Sequence, residues 1–179
     1  MTILGRFRRS PDGGPAASLY DVVVAQSRRP EFYEKLGVPD TVDGRFDMIA
    51  VHAFLLLRRL KSEEKDADDL PQMFFDTMFG DMDRSLREMG AGDLGVGRRV
   101  KAMAKSFYGR IAAYERGLAG PEGVLEDALA RNLYGTTHAD PAQISDMADY
   151  VRREVLGLER QSGGDLRAGR VAFGDLLNA

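Results

Sequence analysis

The sequence contains no cysteine, no tryptophan and only two histidines among its 179 residues. Without cysteine, disulfides, thiolate metal sites and cysteine nucleophiles are excluded. Two histidines leave little material for metal binding or general-base catalysis. The longest apolar run, residues 48–57 with His52 inside it, is ten residues long, whereas a membrane-spanning helix needs about 20. These shortages favour a protein that works through its surface over an enzyme.

The rest of the composition is that of a single globular domain. Apolar residues make up 44% and charged residues 30% of the chain, which are ordinary values for a globular protein. The net charge is −3 and the isoelectric point about 5.5, so no strong attraction to nucleic acid is expected. The N-terminus lacks the apolar core of a signal peptide. Its Ile3, Leu4 and Phe7 lie among arginines and could touch an anionic membrane surface, although a frayed tail is the simpler interpretation.

Apolar periodicity predicts an all-α fold, a single-domain bundle of about six to seven helices. Glycine and proline divide the chain into helical blocks at about residues 16–29, 31–36, 43–62, 70–89, 96–117, 121–135 and 141–159. The block 43–62 is apolar on most of its circumference, so it is expected to be the central helix of the core.

Local signals set the expected boundaries. Asp43 is expected to cap the central helix, and Pro121 to occupy the first turn of its own helix. Residues 91–97 are expected to form a loop after Gly90. Asp140 and Gln143 have the spacing of a capping box. Along the chain we expect a flexible tail at 1–15 and a helical domain at 16–161. A glycine-rich, loosely structured tail is expected at 162–179, where Phe173, Leu176 and Leu177 would pack back on the body or on a partner.

The histidines lack the neighbours that metal sites require. A di-iron bundle needs a glutamate three residues before a histidine, but Ile49 and Gly135 stand there. A zincin needs a second histidine four residues after the first, and Leu56 follows His52 at that distance. We therefore predict that His52 is a core residue and that His138 is a solvated loop residue.

Two other enzyme readings have weak support. Isoprenoid synthases bind magnesium diphosphate through clustered aspartates, and Asp76, Asp81 and Asp83 match that spacing poorly. The Gly95-Val96-Gly97 segment could bind an anion at a helix start, but it lacks the strand and the GK[ST] of a phosphate loop. An isoprenoid-type enzyme nevertheless remains an alternative function.

Charge is unevenly distributed. Residues 62–83 carry eight acidic side chains against one lysine, and residues 84–116 carry eight basic against three acidic side chains. Arg98, Lys101 and Lys105 share one helix face. They could pair with the acidic segment, or they could bind an acidic partner or anionic lipid. A ribosome- or RNA-associated module is a further alternative.

The helix at 70–89 is rich in methionine and phenylalanine. Met78, Met82 and Met89 lie on its inward stripe at helical spacing, which is typical of a core. Methionine-rich surfaces also adapt to varied apolar partners. A hydrophobic groove for a client protein is therefore the alternative interpretation.

Three segments resemble the ubiquinol–cytochrome c chaperone family, the assembly factors of the cytochrome bc1 complex. They are GVPDTVDGRFDMIAVHAFLLLRRLK at Gly37–Lys61, the stretch Met73–Leu118, and LYGTT at Leu133–Thr137. The most specific part is DMDRSLREMGAGDLGVGRRVKAMAKSFYGR at Asp81–Arg110. The chain is identified as a bacterial-type member, since its short N-terminus resembles members without a transit peptide.

The resemblance implies an all-α protein without catalysis that binds newly made cytochrome b until the complex assembles. Mitochondrial relatives act at the inner membrane, with a small partner protein and near the ribosome. A bacterial member would work in the cytoplasm, at the inner face of the membrane. No cofactor is implied, and with so few histidines stable haem ligation is not expected. We predict an interaction surface formed by Asp93, Leu94, Gly95, Val96, Gly97, Arg98, Arg99, Lys101, Lys105, Met78 and Met82.

Overall fold

The computed structural model describes residues 13–62, 69–88, 90 and 93–176. Within these ranges the chain forms eight α-helices and no strand, which confirms the all-α prediction. The helices are α1 Pro15–Ser27, α2 Pro30–Glu34, α3 Val42–Ser62, α4 Leu70–Glu88, α5 Asp93–Ala119, α6 Val124–Asn132, α7 Pro141–Glu159 and α8 Gly163–Arg167.

The central position predicted for α3 is confirmed, because this helix separates two apolar clusters. The first core joins one side of α3, including Phe54 and Leu55, to α2, α6, α7 and the C-terminal half of α5. The second core joins the other side, including Leu56 and Leu60, to α1, α4 and the middle of α5. A helix with an apolar core on each side must be apolar nearly all round, as its sequence showed.

Two helix starts differ from the expectation. The hydroxyl of Thr41 accepts a hydrogen bond from the Gly44 amide at 3.1 Å, so the predicted Asp43 cap is wrong and Thr41 caps α3. Pro121 lies in a turn before α6 rather than in its first turn, because Gly123 adopts a left-handed conformation with φ of 93° and precedes the helix. Glycine tolerates this conformation without strain.

The expected loop at 91–97 is also wrong for the residues that the structure describes, since α5 already begins at Asp93. Gly95 and Gly97 are poor helix formers, which made a loop the natural expectation. Val96 between them is completely buried, and this contact holds the first turn against the body. By contrast, the capping box of α7 is confirmed: Asp140 accepts from the Ala142 amide at 2.8 Å, and Gln143 accepts from the Asp140 amide at 3.1 Å.

Residues 162–176 are more ordered than their glycine content suggested. They include α8, and Phe173 packs against both cores. Leu176 is buried in the first core. The Gly174 amide donates to both carboxylate oxygens of Glu154, each at 3.0 Å. This part of the tail therefore closes over the bundle.

Several expectations fall outside the described residues. They concern the membrane-contact reading of the N-terminal residues 1–12, the acidic stretch 63–68, and the positions of Met89 and Leu177.

His52 is the core residue that the sequence predicted. It is completely buried, with its Nδ1 2.9 Å from the Met48 carbonyl and its Nε2 2.8 Å from the Tyr150 hydroxyl. These contacts are satisfied when Nδ1 carries the proton and Nε2 accepts from the tyrosine. The Tyr150 hydroxyl in turn accepts from the side-chain amide of Gln26 at 3.0 Å. Burial lowers the pKa of His52 to about 4, so the ring is neutral at physiological pH.

The buried His52 makes stability depend on pH. Its pKa rises from about 4 when folded to 6.5 when unfolded, so the unfolded chain takes up a proton first as the pH falls below 6.5. Acidification from pH 7 to pH 5 should therefore cost about 2 kcal/mol of unfolding free energy through this residue. We expect urea denaturation at pH 7 and pH 5 to show a change in stability that is less favourable by about 2 kcal/mol in the native chain than in His52→Gln.

The exposed His138 provides the matched control, because His138→Gln should retain the native pH dependence. The carboxyl groups of Asp47 and Glu154, whose pKa values burial raises, act in the opposite direction in all three proteins. The comparison between proteins therefore isolates His52. Equal pH dependence in the native chain and His52→Gln would contradict the assignment.

Candidate interaction surface

The N-terminal half of α5 presents a line of cations. Arg98, Lys101 and Lys105, here called the basic stripe, are all exposed and follow one another at helical spacing. The next exposed residue on the same face is Tyr108. Arg99 is also exposed. It lies about 100° around the helix from Arg98, on the side away from Lys101 and Lys105. The predicted basic residues therefore form two separate groups.

The basic stripe has no ion pair within the described part of the chain. Two ion pairs join α5 to α3. Arg110 pairs with Asp47, and Glu115 pairs with Arg58. Three described aspartates of residues 62–83 bond elsewhere: Asp81 accepts from the Tyr20 hydroxyl, Asp83 pairs with Arg87, and Asp76 accepts from the side-chain amide of Gln72. Within the described residues, therefore, no aspartate of this segment pairs with the stripe.

The remaining nominated residues of α5 have mixed positions. Gly95 and Gly97 are exposed, whereas Val96 is completely buried. Asp93 and Leu94 begin the helix. The segment therefore forms the first turn of α5, with Val96 buried, and it is not an exposed loop.

Met78 and Met82 belong to the second core, with exposures of 0% and 7%. The sequence predicts that these two methionines contact a partner. Their burial rules this out, because a partner cannot reach side chains that already pack between helices. The exposed methionine of α4 is Met73, at 49% exposure. Its position beside the core stripe explains why periodicity alone did not single it out.

An open groove lies where α3, α4 and α5 meet. Its volume is about 280 Å³, and its apolar lining includes Leu57, Pro71, Phe75, Phe107, Tyr108 and Ile111. We call it the aromatic groove. The ring of Phe75 stacks on that of Tyr108, with centroids 5.4 Å apart and planes at 28°. Tyr108 is 57% exposed, so its ring forms an accessible wall of the groove.

The rim of the aromatic groove is charged and asymmetric. Arg58 and Lys61 on α3 face Glu115 on α5, and Asp69 precedes α4. The Nε of Arg58 lies 3.7 Å from a carboxylate oxygen of Glu115. The basic stripe continues the groove toward the N-terminus of α5, and the mixed charges of the rim lie at the other end. The groove was not predicted from the sequence. The available signal was the spacing along α5: Lys105 follows Lys101 by four residues, and Tyr108 follows Lys105 by three, so all three lie on one face.

A buried ion pair holds α5 to α3. The Nη2 of Arg110 lies 2.6 Å from the Oδ1 of Asp47, and both side chains are about 15% exposed. Burial raises the pKa of Asp47 to about 6, although Arg110 lowers it. Arg110 also lies 5.6 Å from the Phe46 ring. This pair fixes the helix that carries the stripe and the groove.

The aspartates suggested for a diphosphate site do not converge. Asp81 is buried beside Tyr20, whereas Asp83 bonds Arg87 and Asp76 bonds Gln72 on the surface of α4. Among the described residues there is also no group of three or more histidines and carboxylates placed to hold a metal ion. This dispersal gives the isoprenoid reading no structural support.

Comparison with known proteins identifies the chain as a helical chaperone. The family model described as "Ubiquinol-cytochrome C chaperone" matches residues 34–173. The chain therefore belongs to the ubiquinol–cytochrome c chaperone family, and the resemblance seen in the sequence is confirmed.

The named relatives are assembly factors. The chain is 28% identical over 151 residues to ubiquinol-cytochrome-c reductase complex assembly factor 1 of Xenopus laevis, covering 84% of this chain and 76% of that protein. It is 26% identical to the Mus musculus protein of the same name and spans 51% of its length. The crystal structure of the Cbp3 homolog from Brucella abortus matches with a TM-score of 0.79 and 37% identity, over 90% of both chains.

Proposed function

We propose that the chain is a non-catalytic assembly chaperone of the ubiquinol–cytochrome c reductase (bc1) complex, and that its client is newly made cytochrome b. The observation that carries the proposal is the family match over residues 34–173, which includes the helices α3 to α8. That range contains α5 with its basic stripe and the aromatic groove.

The geometry suits binding better than catalysis. A chaperone needs a rigid scaffold and an accessible surface that can hold a client. The two cores and the Asp47–Arg110 pair supply the scaffold. The neutral, fully bonded His52 has no free nitrogen with which to exchange protons with a substrate. We therefore assign the function to the surface of α4 and α5.

We further propose that the chain works in the cytoplasm, at the inner face of the cytoplasmic membrane. Among the described helices, none combines the length and the hydropathy needed to cross a membrane. Clustered cations favour a negatively charged partner, so the basic stripe would hold the chaperone at acidic segments of its client. The same stripe would suit a ribosomal contact, for which steep salt dependence of RNA affinity is the test.

Deletion of the gene tests the proposed function. Assembled bc1 complex should disappear from native gels of the membranes, and the other respiratory complexes should remain at their normal levels. Re-expression of the native chain should restore the complex. A deletion strain with normal bc1 would overturn the proposal, and a loss of all respiratory complexes would point to a general role in membrane protein synthesis.

Charge reversal tests the basic residues of α5. We expect Arg98→Glu, Arg99→Glu and Lys101→Glu together to lower assembled bc1 by about tenfold, because complementary charges steer and hold partners. All three side chains are exposed, so the circular dichroism spectrum and the thermal midpoint should stay close to native. The matched control reverses three exposed cations elsewhere, Lys35, Arg131 and Arg160. Normal bc1 in the first variant, or equal losses in both, would contradict the surface assignment.

A further inference from the structure

We propose that the aromatic groove and the basic stripe together bind one amphipathic, acidic segment of a partner protein. A bulky apolar side chain of that segment would enter the groove beside Tyr108, and its carboxylates would lie along Lys101 and Lys105. The proposal rests on the proposed function in one respect, since the segment is expected to come from the client.

The size of the groove favours a side chain over a small molecule. Its volume of about 280 Å³ lies just below the range of about 300–1000 Å³ that is typical of small-molecule sites. One part of its wall is aromatic, with Phe107 buried beside the stacked pair of Phe75 and Tyr108, and the rest of the lining is a mixture of aliphatic, polar and charged side chains. Such a pocket can bury one large apolar anchor, which is how helical segments dock in grooves.

The positive charge of α5 beside the groove favours carboxylates in the partner segment. From residue 94 to residue 114, α5 contains no acidic residue. Of its five cations in that range, Arg110 is bonded to Asp47, and the basic stripe has no ion pair in the described residues. Lys101 lies about 10 Å along the helix axis from Tyr108. An anchor side chain with carboxylates one and two helical turns away would match this spacing.

The opposite end of the groove argues against a lipid surface. Asp69 and Glu115 line the groove there together with Arg58 and Lys61, and Arg58 lies 3.7 Å from Glu115, so this end carries both signs of charge whereas the basic stripe carries only cations. A flat, uniformly anionic membrane would meet these carboxylates as well as the lysines, and like charges repel. A segment that is acidic at one end only can satisfy the lysines and avoid the carboxylates. The asymmetry also fixes the direction of binding, with the acidic end of the segment toward Lys101.

A peptide array of the host's cytochrome b, probed with the purified full-length chain, provides the test. The bound peptides should carry carboxylates within two helical turns of a bulky apolar residue. For the strongest peptide, fluorescence anisotropy should show a loss of affinity of about tenfold or more for Lys101→Glu with Lys105→Glu, and of similar size for Tyr108→Ala. Arg99→Glu, on the other edge of α5, should bind as the native chain does.

Other outcomes overturn the proposal. Array binding that is absent, or restricted to basic or uncharged peptides, would refute the chemistry of the partner. Binding to vesicles containing anionic lipid that depends on the lysines and not on Tyr108 would assign the surface to the membrane. A concentration-dependent dimer in light scattering that Lys101→Glu with Lys105→Glu dissociates would assign it to a second copy of the chain. A further outcome is that gene deletion abolishes bc1 while re-expression of the variant Lys101→Glu with Lys105→Glu fully restores it. That result would support the proposed function and contradict the proposed docking surface.

Discussion

Removal of residues 171–179 is expected to lower the free energy of unfolding by about 4 kcal/mol or more. The truncation deletes Phe173, which packs against both cores, and Leu176, which is buried in the first. It also leaves the buried carboxylate of Glu154 without the Gly174 amide that donates to it. Urea denaturation followed by circular dichroism measures the loss, and at 37 °C much of the truncated chain should be unfolded.

A shorter deletion separates the packed residues from the rest of the C-terminus. A chain that ends at Leu176 retains the contacts of Phe173 and Gly174, so the difference in urea midpoint between it and the chain that ends at Arg170 measures the contribution of residues 171–176. The single change Phe173→Ala should cost about 3 kcal/mol, most of the effect of the truncation. A truncated protein as stable as the full chain would show that residues 171–176 do not contribute to the cores.

The change Gly44→Ala is expected to destabilise the protein by about 3 kcal/mol. Gly44 is buried in the first turn of α3, and a Cβ atom there would lie 2.0 Å from the backbone carbonyl oxygen of Pro39. That oxygen belongs to the main chain, so relief requires a shift of the loop before the helix. The shift would disturb the hydrogen bond from the Gly44 amide to Thr41, which caps α3. Thermal denaturation should show a clear drop in the midpoint.

A helical glycine in open space is the matched control. Gly80 is exposed on α4, and a Cβ atom there would meet nothing within 4 Å. Gly80→Ala should therefore raise the unfolding free energy by up to about 1 kcal/mol, because alanine is the better helix former. The two alanine substitutions are expected to act in opposite directions. A destabilisation of similar size at both positions would contradict the steric explanation for Gly44.

Features specified by nearby residues were predictable from the sequence. The capping box of Asp140 and Gln143 involves residues three apart, and the all-round apolar surface of α3 is a property of one segment. The start of α5 was not predictable in this way. Local propensity at Gly95 and Gly97 favours a loop, whereas the buried contact of Val96 favours a helix, and only the folded chain shows which is stronger.

The candidate site was predictable in part for a similar reason. Charge and spacing along one helix located Arg98, Lys101 and Lys105. The aromatic groove depends on the packing of Phe75 on α4 against Tyr108 on α5, 33 residues apart in the sequence. Periodicity likewise cannot tell a buried methionine stripe from an exposed one, so Met78 and Met82 were nominated where Met73 is the accessible residue. The partners of His52 are equally distant, since Tyr150 follows it by 98 residues.

The central position of α3 links the whole chain into one cooperative unit. Because both cores share this helix, damage to either core removes a wall of the other, and the two halves should not unfold separately. A substitution near the C-terminal tail can therefore reduce the amount of folded chaperone without touching α4 or α5. In a cell, such a variant would reduce bc1 through abundance alone. Loss of the complex identifies a client contact only when the steady-state level of the chaperone is unchanged.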